Sequence, residues 1–167
     1  MFWPLQRDMQ LFYGDPDAGD DGLPDRAWEA VHLMRIIPPW QMVLAWAPTK
    51  ELKAIAIHKK CGPSLVTILG NIWNDVGQSQ KVIEDAGLHL FGGCYNFRMT
   101  RGGTRLSTHA YAAAIDLDPE RNPLGKAWVA ESGMIPMRVV ERFEEQGWSW
   151  GGRFSRPDCM HLEAVRR

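Results

Sequence analysis

Hydrophobic positions recur at three- and four-residue spacing over one long stretch of the chain: Leu65, Ile68, Leu69, Ile72, Trp73 and Val76. This spacing puts all six on one face of a helix that starts near Pro63-Ser64 and turns that face to a core. A shorter helix is expected from Asp25, whose carboxylate can cap the first turn, through Ala27, Trp28, Val31 and Leu33. Pro38-Pro39 closes that segment, because a residue before proline is pushed out of the helical region. A third helix, over residues 136–146, has Pro136 near its first turn and Gly147 just beyond its end, where a left-handed cap suits glycine.

Strands are expected at residues 40–46 and 52–58, the second alternating Leu52, Ala54 and Ala56 against Lys53, Ile55 and Ile57. After Gly87 further strands are expected near residues 88–95, 112–117, 148–151 and 160–164. Residues 14–25, GDPDAGDDGLPD, are acidic, rich in glycine and proline and without periodicity, so they read as a surface loop. Helices early, strands late and no βαβ rhythm predict a single α+β domain. The sheet is expected to be small and antiparallel with flanking helices. Residues 51–167 would form the catalytic core, and residues 1–50 would pack on it.

Composition narrows the picture. With 167 residues, 45% of them hydrophobic and 23% charged, the chain can bury a core of its own. A net charge of -1 gives no basic field for nucleic acid or an anionic membrane. No stretch is long enough to span a bilayer. Residues 1–10 carry no apolar segment of the signal-peptide kind, which predicts synthesis in the cytoplasm without export by that route. Cys61, Cys94 and Cys159 form no CxxC pair, so reduced, buried thiols are expected.

Two segments carry chemistry. In Ser107-Thr108-His109-Ala110-Tyr111-Ala112-Ala113-Ala114-Ile115-Asp116 a carboxylate interrupts an apolar run. Burial of that carboxylate is costly unless it is paired or bound to a metal, and His109 lies close enough to share an ion with it. The alternative is a strand-end Asp that caps a turn with Asp118-Pro119. Near the C-terminus, Asp158-Cys159-Met160-His161-Leu162-Glu163 offers another imidazole with a carboxylate three residues ahead. The alternative here is a strand with scattered polar residues. Two His and one Asp make a three-ligand zinc set with a position left open for water, the pattern of catalytic sites. Asp158 would then serve as general base.

The motifs also resemble those of a known family. Ser107-x-His109-x-x-Ala112-x-Ala114-x-Asp116 resembles the SxHxxGxAxD signature of the zinc-dependent DD-peptidases, whose fold is shared with the Hedgehog signalling domain. Residues 147–154, GWSWGGRF, followed by Asp158-x-x-His161-Leu162-Glu163, resemble that family's second signature. Phe12-Tyr13-Gly14 and Pro38-Pro39-Trp40 are similar to the front of phage endolysins of the L-alanyl-D-glutamate endopeptidase branch. The resemblance implies one zinc per chain held by His109, Asp116 and His161, with Asp158 as base and Arg98 steadying the developing oxyanion. Two positions depart from the pattern: Ala112 stands where glycine is usual, and Leu162 where an aromatic is usual.

Arg101 and Arg105 compete with Arg98 and read as solvated or substrate-loop residues. Ser107 is expected to orient a ligand by hydrogen bonding, since no glycine elbow supports it as a nucleophile. Cys159 is expected to turn into the core, and His32, His58 and His89 to be structural. Glu163, Trp148 and Trp150 read equally as pocket wall or packing. The implied activity is hydrolysis of a peptidoglycan stem peptide by a monomeric phage-type endolysin released to the wall at lysis, without membrane insertion. A D-alanyl-D-alanine carboxypeptidase is the alternative within the class. A catalytically silent, zinc-stabilised wall-binding or virion protein is the alternative outside it, although an acid at position 158 has no purpose in such a site.

Overall fold

A computed structural model describes residues 2–167. In chain order the elements are α1 (Met9–Tyr13), α2 (Arg26–His32), β1 (Leu33–Ile36), β2 (Met42–Leu44), β3 (Ala47–Leu52), β4 (Ile55–His58), α3 (Gly62–Asp75), α4 (Gln80–Asp85), β5 (Leu90–Gly93), β6 (Ala114–Leu117), α5 (Met137–Glu145), β7 (Ser149–Trp150) and β8 (His161–Glu163). They make one α+β domain. A six-stranded sheet runs β3-β2-β5-β6-β8-β7, and β1 pairs with β4 in a separate two-stranded ladder.

The sheet is larger than the small antiparallel one expected, and it is mixed. Val43 and Leu44 pair in parallel with Leu90 and Phe91. Between β2 and β5 the chain passes through β3, β4, α3 and α4, a long crossover of the kind that parallel neighbours require.

The predicted helices are present. On α3, Leu65, Ile68, Leu69 and Ile72 are buried, with Trp73 and Val76 packed against the same core. Each such aliphatic side chain stabilises the fold by roughly 1.5–3 kcal/mol. Asp25 caps α2 by accepting from the Trp28 N–H at 2.7 Å. That helix stops at His32, however, and Leu33 already begins β1, which pairs from Leu33↔His58 to Ile36↔Ile55. Pro136 sits at the N-cap of α5 rather than inside it, and Gly147 leaves the helix end with φ +77.

The expected strand 40–46 shrinks to Met42–Leu44, because Ala45-Trp46 turn the chain into β3. Pro48 lies within β3, where its missing N–H is tolerated because this is an edge strand. The expected strand 52–58 is divided between the end of β3 and β4, with Ile55 and Ile57 facing the core.

The N-terminal residues close over the far end of the chain. Leu5 forms a parallel bridge to Arg166, and the Arg166 N–H donates to the Pro4 carbonyl at 2.9 Å. Trp3 is buried edge-on against Trp148, with ring centroids 6.0 Å apart. The Tyr13 hydroxyl donates to the Ala164 carbonyl at 2.6 Å, one residue past β8.

Candidate metal centre

The site is built on the antiparallel pair β6 and β8. Their register sets Asp116 directly opposite His161 and Ala114 opposite Glu163. Side chains two apart share a face, so these four lie on one side while Ile115 and Leu162 fill the core. On its other edge β6 meets β5, whose pairing is irregular between Phe91 and Gly93. A side chain at Gly92 would bring its Cβ within 2.9 Å of the Asp116 Cβ, so glycine there lets β5 approach the ligand strand.

His109 comes from a 3-10 turn, Thr108–Tyr111, just before β6. Ser107 caps the turn by accepting from the His109 N–H at 3.3 Å, so it orients the ligand through the backbone. The chain then leaves the turn through Ala112 in the left-handed region, φ 50 and ψ 37. That conformation costs a residue with a Cβ about 1–2 kcal/mol, which explains why glycine is usual at this point of the signature.

The three side chains meet at their polar atoms. His109 Nε2 lies 3.2 Å from His161 Nδ1 and 3.2 Å from Asp116 Oδ1, and His161 Nδ1 lies 2.9 Å from Asp116 Oδ1. Two nitrogens and one oxygen at bond lengths of about 2.0–2.1 Å around a tetrahedral zinc stand about 3.3 Å apart. The triangle thus fits an ion with little rearrangement. Among the described residues these three form the one group of His, Cys, Asp and Glu able to hold a metal. The cysteines take no part: all three are free and buried.

The far nitrogens of the two rings are also engaged. His109 Nδ1 lies 2.7 Å from the Cys94 carbonyl, which can only accept, so its proton is there and Nε2 faces the site. His161 Nε2 lies 3.1 Å from Glu163 Oε2. Without an ion, burial works against a charged ring at His161, but hydrogen bonds to Asp116 and Glu163 outweigh it and push the ring up to about 10. Burial likewise opposes ionisation of Asp116, yet the two imidazoles hold its carboxyl well below the usual range.

Asp158 stands beside the trio in a cleft of about 230 Å³, also lined by Arg98 and Arg101. Its Oδ1 is buried without a hydrogen-bond partner among the described residues. Burial raises its pKa, against the pull of His161. A carboxylate with a free, shielded oxygen next to a ligand triangle is suited to take a proton from a reactant held there. Its position depends on Gly151: a Cβ there would lie 2.4 Å from the Asp158 carbonyl oxygen. The Asp158 N–H donates to the Gly151 carbonyl at 2.9 Å.

The remaining expected residues separate. Arg98 and Arg101 line the cleft, whereas Arg105 is exposed and is not part of its wall. Trp150 is not a wall of the cleft either. It is buried, and its indole N–H donates to the Cys159 carbonyl at 2.9 Å, bracing the segment between Asp158 and His161. Cys159 is fully buried, but in the turn before β8, so strand alternation is not what puts it there. His58 is structural: Nε2 donates to the Tyr13 carbonyl and Nδ1 accepts from the Lys60 N–H. Thr108 and the Cys94 carbonyl were not anticipated. A backbone carbonyl leaves no mark in a sequence, and Thr108 was legible only as the neighbour of a candidate ligand.

Residues 101–164 match the family described as D-alanyl-D-alanine carboxypeptidase. The match contains His109, Asp116, Asp158 and His161, and it supports a place in the superfamily of zinc DD-peptidases, the M15 peptidases. With the His109–Asp116–His161 group it supports a metallopeptidase of the peptidoglycan-cleaving, carboxypeptidase-like kind. No curated protein and no solved structure matches the chain. No helix among the described residues is long and apolar enough to cross a membrane.

Proposed function

We propose that this protein is a zinc peptidase that cleaves the L-alanyl-D-glutamate bond of peptidoglycan stem peptides, as a phage or prophage endolysin. The observation that carries the reading is the convergence of two imidazoles and a carboxylate beside Asp158, whose free oxygen is shielded in the same cleft. A bound divalent ion would supply Lewis acidity, lowering the pKa of water to about 7 and polarising the scissile carbonyl. His109, Asp116 and His161 would hold it. Asp158 would accept the proton of the attacking water and later return it to the leaving amine. Arg98, half-buried in the cleft wall, would steady the carbonyl oxygen as it gains charge. The endolysin branch is supported by the Phe12-Tyr13-Gly14 and Pro38-Pro39-Trp40 stretches.

The description of the matched family favours a second reading, a carboxypeptidase that releases terminal D-alanine. Arg98, Arg101 or Arg156, all in the cleft wall, could bind a free carboxylate in that case. Purified protein incubated with isolated sacculi distinguishes the two. The proposal expects new glutamate amino termini, abolished by a chelator and restored by zinc. Free D-alanine without those termini would transfer the assignment to the carboxypeptidase, and unaltered sacculi would refute both.

A further inference from the structure

We infer that Glu163 is a positioning residue of the metal centre, holding the far nitrogen of His161 so that its near nitrogen is the one presented to the ion. This rests on the reading of His109, Asp116 and His161 as metal ligands.

The Glu163 side chain is wholly buried, where an unpaired carboxylate is not tolerated. Both its oxygens are committed. Oε2 lies 3.1 Å from His161 Nε2 and accepts from the Thr108 hydroxyl at 2.9 Å. Oε1 accepts from Arg167 Nε at 2.6 Å, and Arg167 Nη2 lies 3.3 Å from Oε2. Thr108, His161 and Arg167 reach the cleft, but Glu163 does not contribute to its wall. It therefore cannot meet a substrate or take a proton from a reactant. What it can do is act through His161.

The two histidines need opposite arrangements. His109 presents Nε2 and keeps its proton on Nδ1, against the Cys94 carbonyl. His161 presents Nδ1, so its proton must stay on Nε2. An acceptor behind that nitrogen fixes this tautomer and the ring plane. Glu163 supplies an acceptor that is also negative, because the Arg167 guanidinium pairs with its carboxylate, at 2.6 Å from Nε to Oε1. A divalent ion brings two positive charges to the ring where a proton brings one. A negative charge behind the ring thus favours the ion over the proton.

Strand geometry explains the spacing. Positions 161 and 163 share a face of β8, and Glu163 lies between two small cross-strand neighbours, the fully buried Ala114 on β6 and Ser149 on β7. A small residue at 114 leaves space on that face for the carboxylate, which gives the second alanine of the Ala112-x-Ala114-x-Asp116 signature a physical task.

The test compares wild type, Glu163→Gln, Thr108→Val and His161→Ala as full-length chains. Zinc affinity is measured by competition with a chromophoric chelator, the visible spectrum is recorded after cobalt loading, and the melting temperature is taken without metal. Glutamine keeps an acceptor of similar shape but no charge. Glu163→Gln is expected to weaken zinc binding about 10- to 100-fold and to shift the cobalt bands. Thr108→Val removes the hydroxyl that donates to Oε2 and lies 3.5 Å from His161 Nε2, loosening the carboxylate but keeping its charge; it is expected to weaken binding in the same direction by less, and it carries the test should the glutamine variant fail to fold. Wild-type affinity and an unchanged cobalt spectrum in both variants, with binding lost in His161→Ala, would overturn the role of Glu163 alone. Absence of zinc binding in the wild type would overturn the metal centre itself.

Discussion

At Asp158 the local environment separates two roles that a carboxylate near a metal can play. Its Oδ1 is shielded and, among the described residues, unpartnered, and it is not among the three converging ligand atoms. We predict that Asp158→Asn retains zinc and melting temperature while hydrolysis falls by about 10² to 10⁴, the usual worth of general base catalysis. Zinc loss in that variant would make Asp158 a ligand; full activity would place the base elsewhere. Arg98→Ala should lower kcat by about 10² without loss of zinc, since it removes a donor needed only as charge develops. Equal turnover in Arg98→Ala and wild type would move that role to Arg101. The charges behind the ligands predict how the metal-free protein responds to pH. His161 is raised from its ordinary 6.5 to about 10, so its contribution is complete below 6.5 and is lost as pH rises toward 10. Glu163 is lowered from 4.5 to about 2, so its contribution is complete above 4.5 and is lost as pH falls toward 2. Melting in the presence of chelator should therefore peak between these limits, near pH 4.5–6.5, and decline on both sides. A curve that rises steadily to pH 9 would contradict the His161–Glu163 pairing.

The turn from β7 to β8 is the element on which the site depends most, because it spaces Asp158 from His161. Gly151 stands against the Asp158 backbone, and Trp150 holds the Cys159 carbonyl. Gly151→Ala should displace this turn, costing about 1–3 kcal/mol of stability by overpacking, and should lower hydrolysis together with it. An alanine variant with parental melting temperature and rate would show that the contact is easily relieved. The same scale explains what was legible in the sequence. The period of Leu65, Ile68, Leu69 and Ile72 announced α3, and Asp25 and Gly147 marked the ends of α2 and α5. Helix α4 was missed because six residues carry no readable period, although Ser79 caps it by accepting from the Val82 N–H. Strand β1 was missed because no glycine or proline stands between His32 and Ile36, so Leu33 reads as the end of α2. The ligands were legible from motif and residue type. The partner of each far nitrogen was not, because Cys94 acts through its carbonyl, and Glu163, two residues along β8 from His161, read equally as packing.

Across the whole molecule, the chain's first residues brace its last ones. Trp3 against Trp148 ties the first residues to the start of β7, and Pro4 against Arg166 and Tyr13 against Ala164 tie them to the end of β8. Trp3→Ala should cost about 3–5 kcal/mol, a fall in melting temperature on the order of 10 °C, although the residue touches no ligand. A shift of a degree or less would show that this segment is not part of the cooperative fold. The proposed activity depends on one centre, the meeting of His109, Asp116 and His161. X-ray absorption of the zinc-loaded protein probes it most directly. The expected result is one zinc per chain in a shell of nitrogen and oxygen at about 2.0–2.1 Å, with two imidazole signatures. A sulfur shell at about 2.3 Å, or an ion without imidazole scattering, would contradict it.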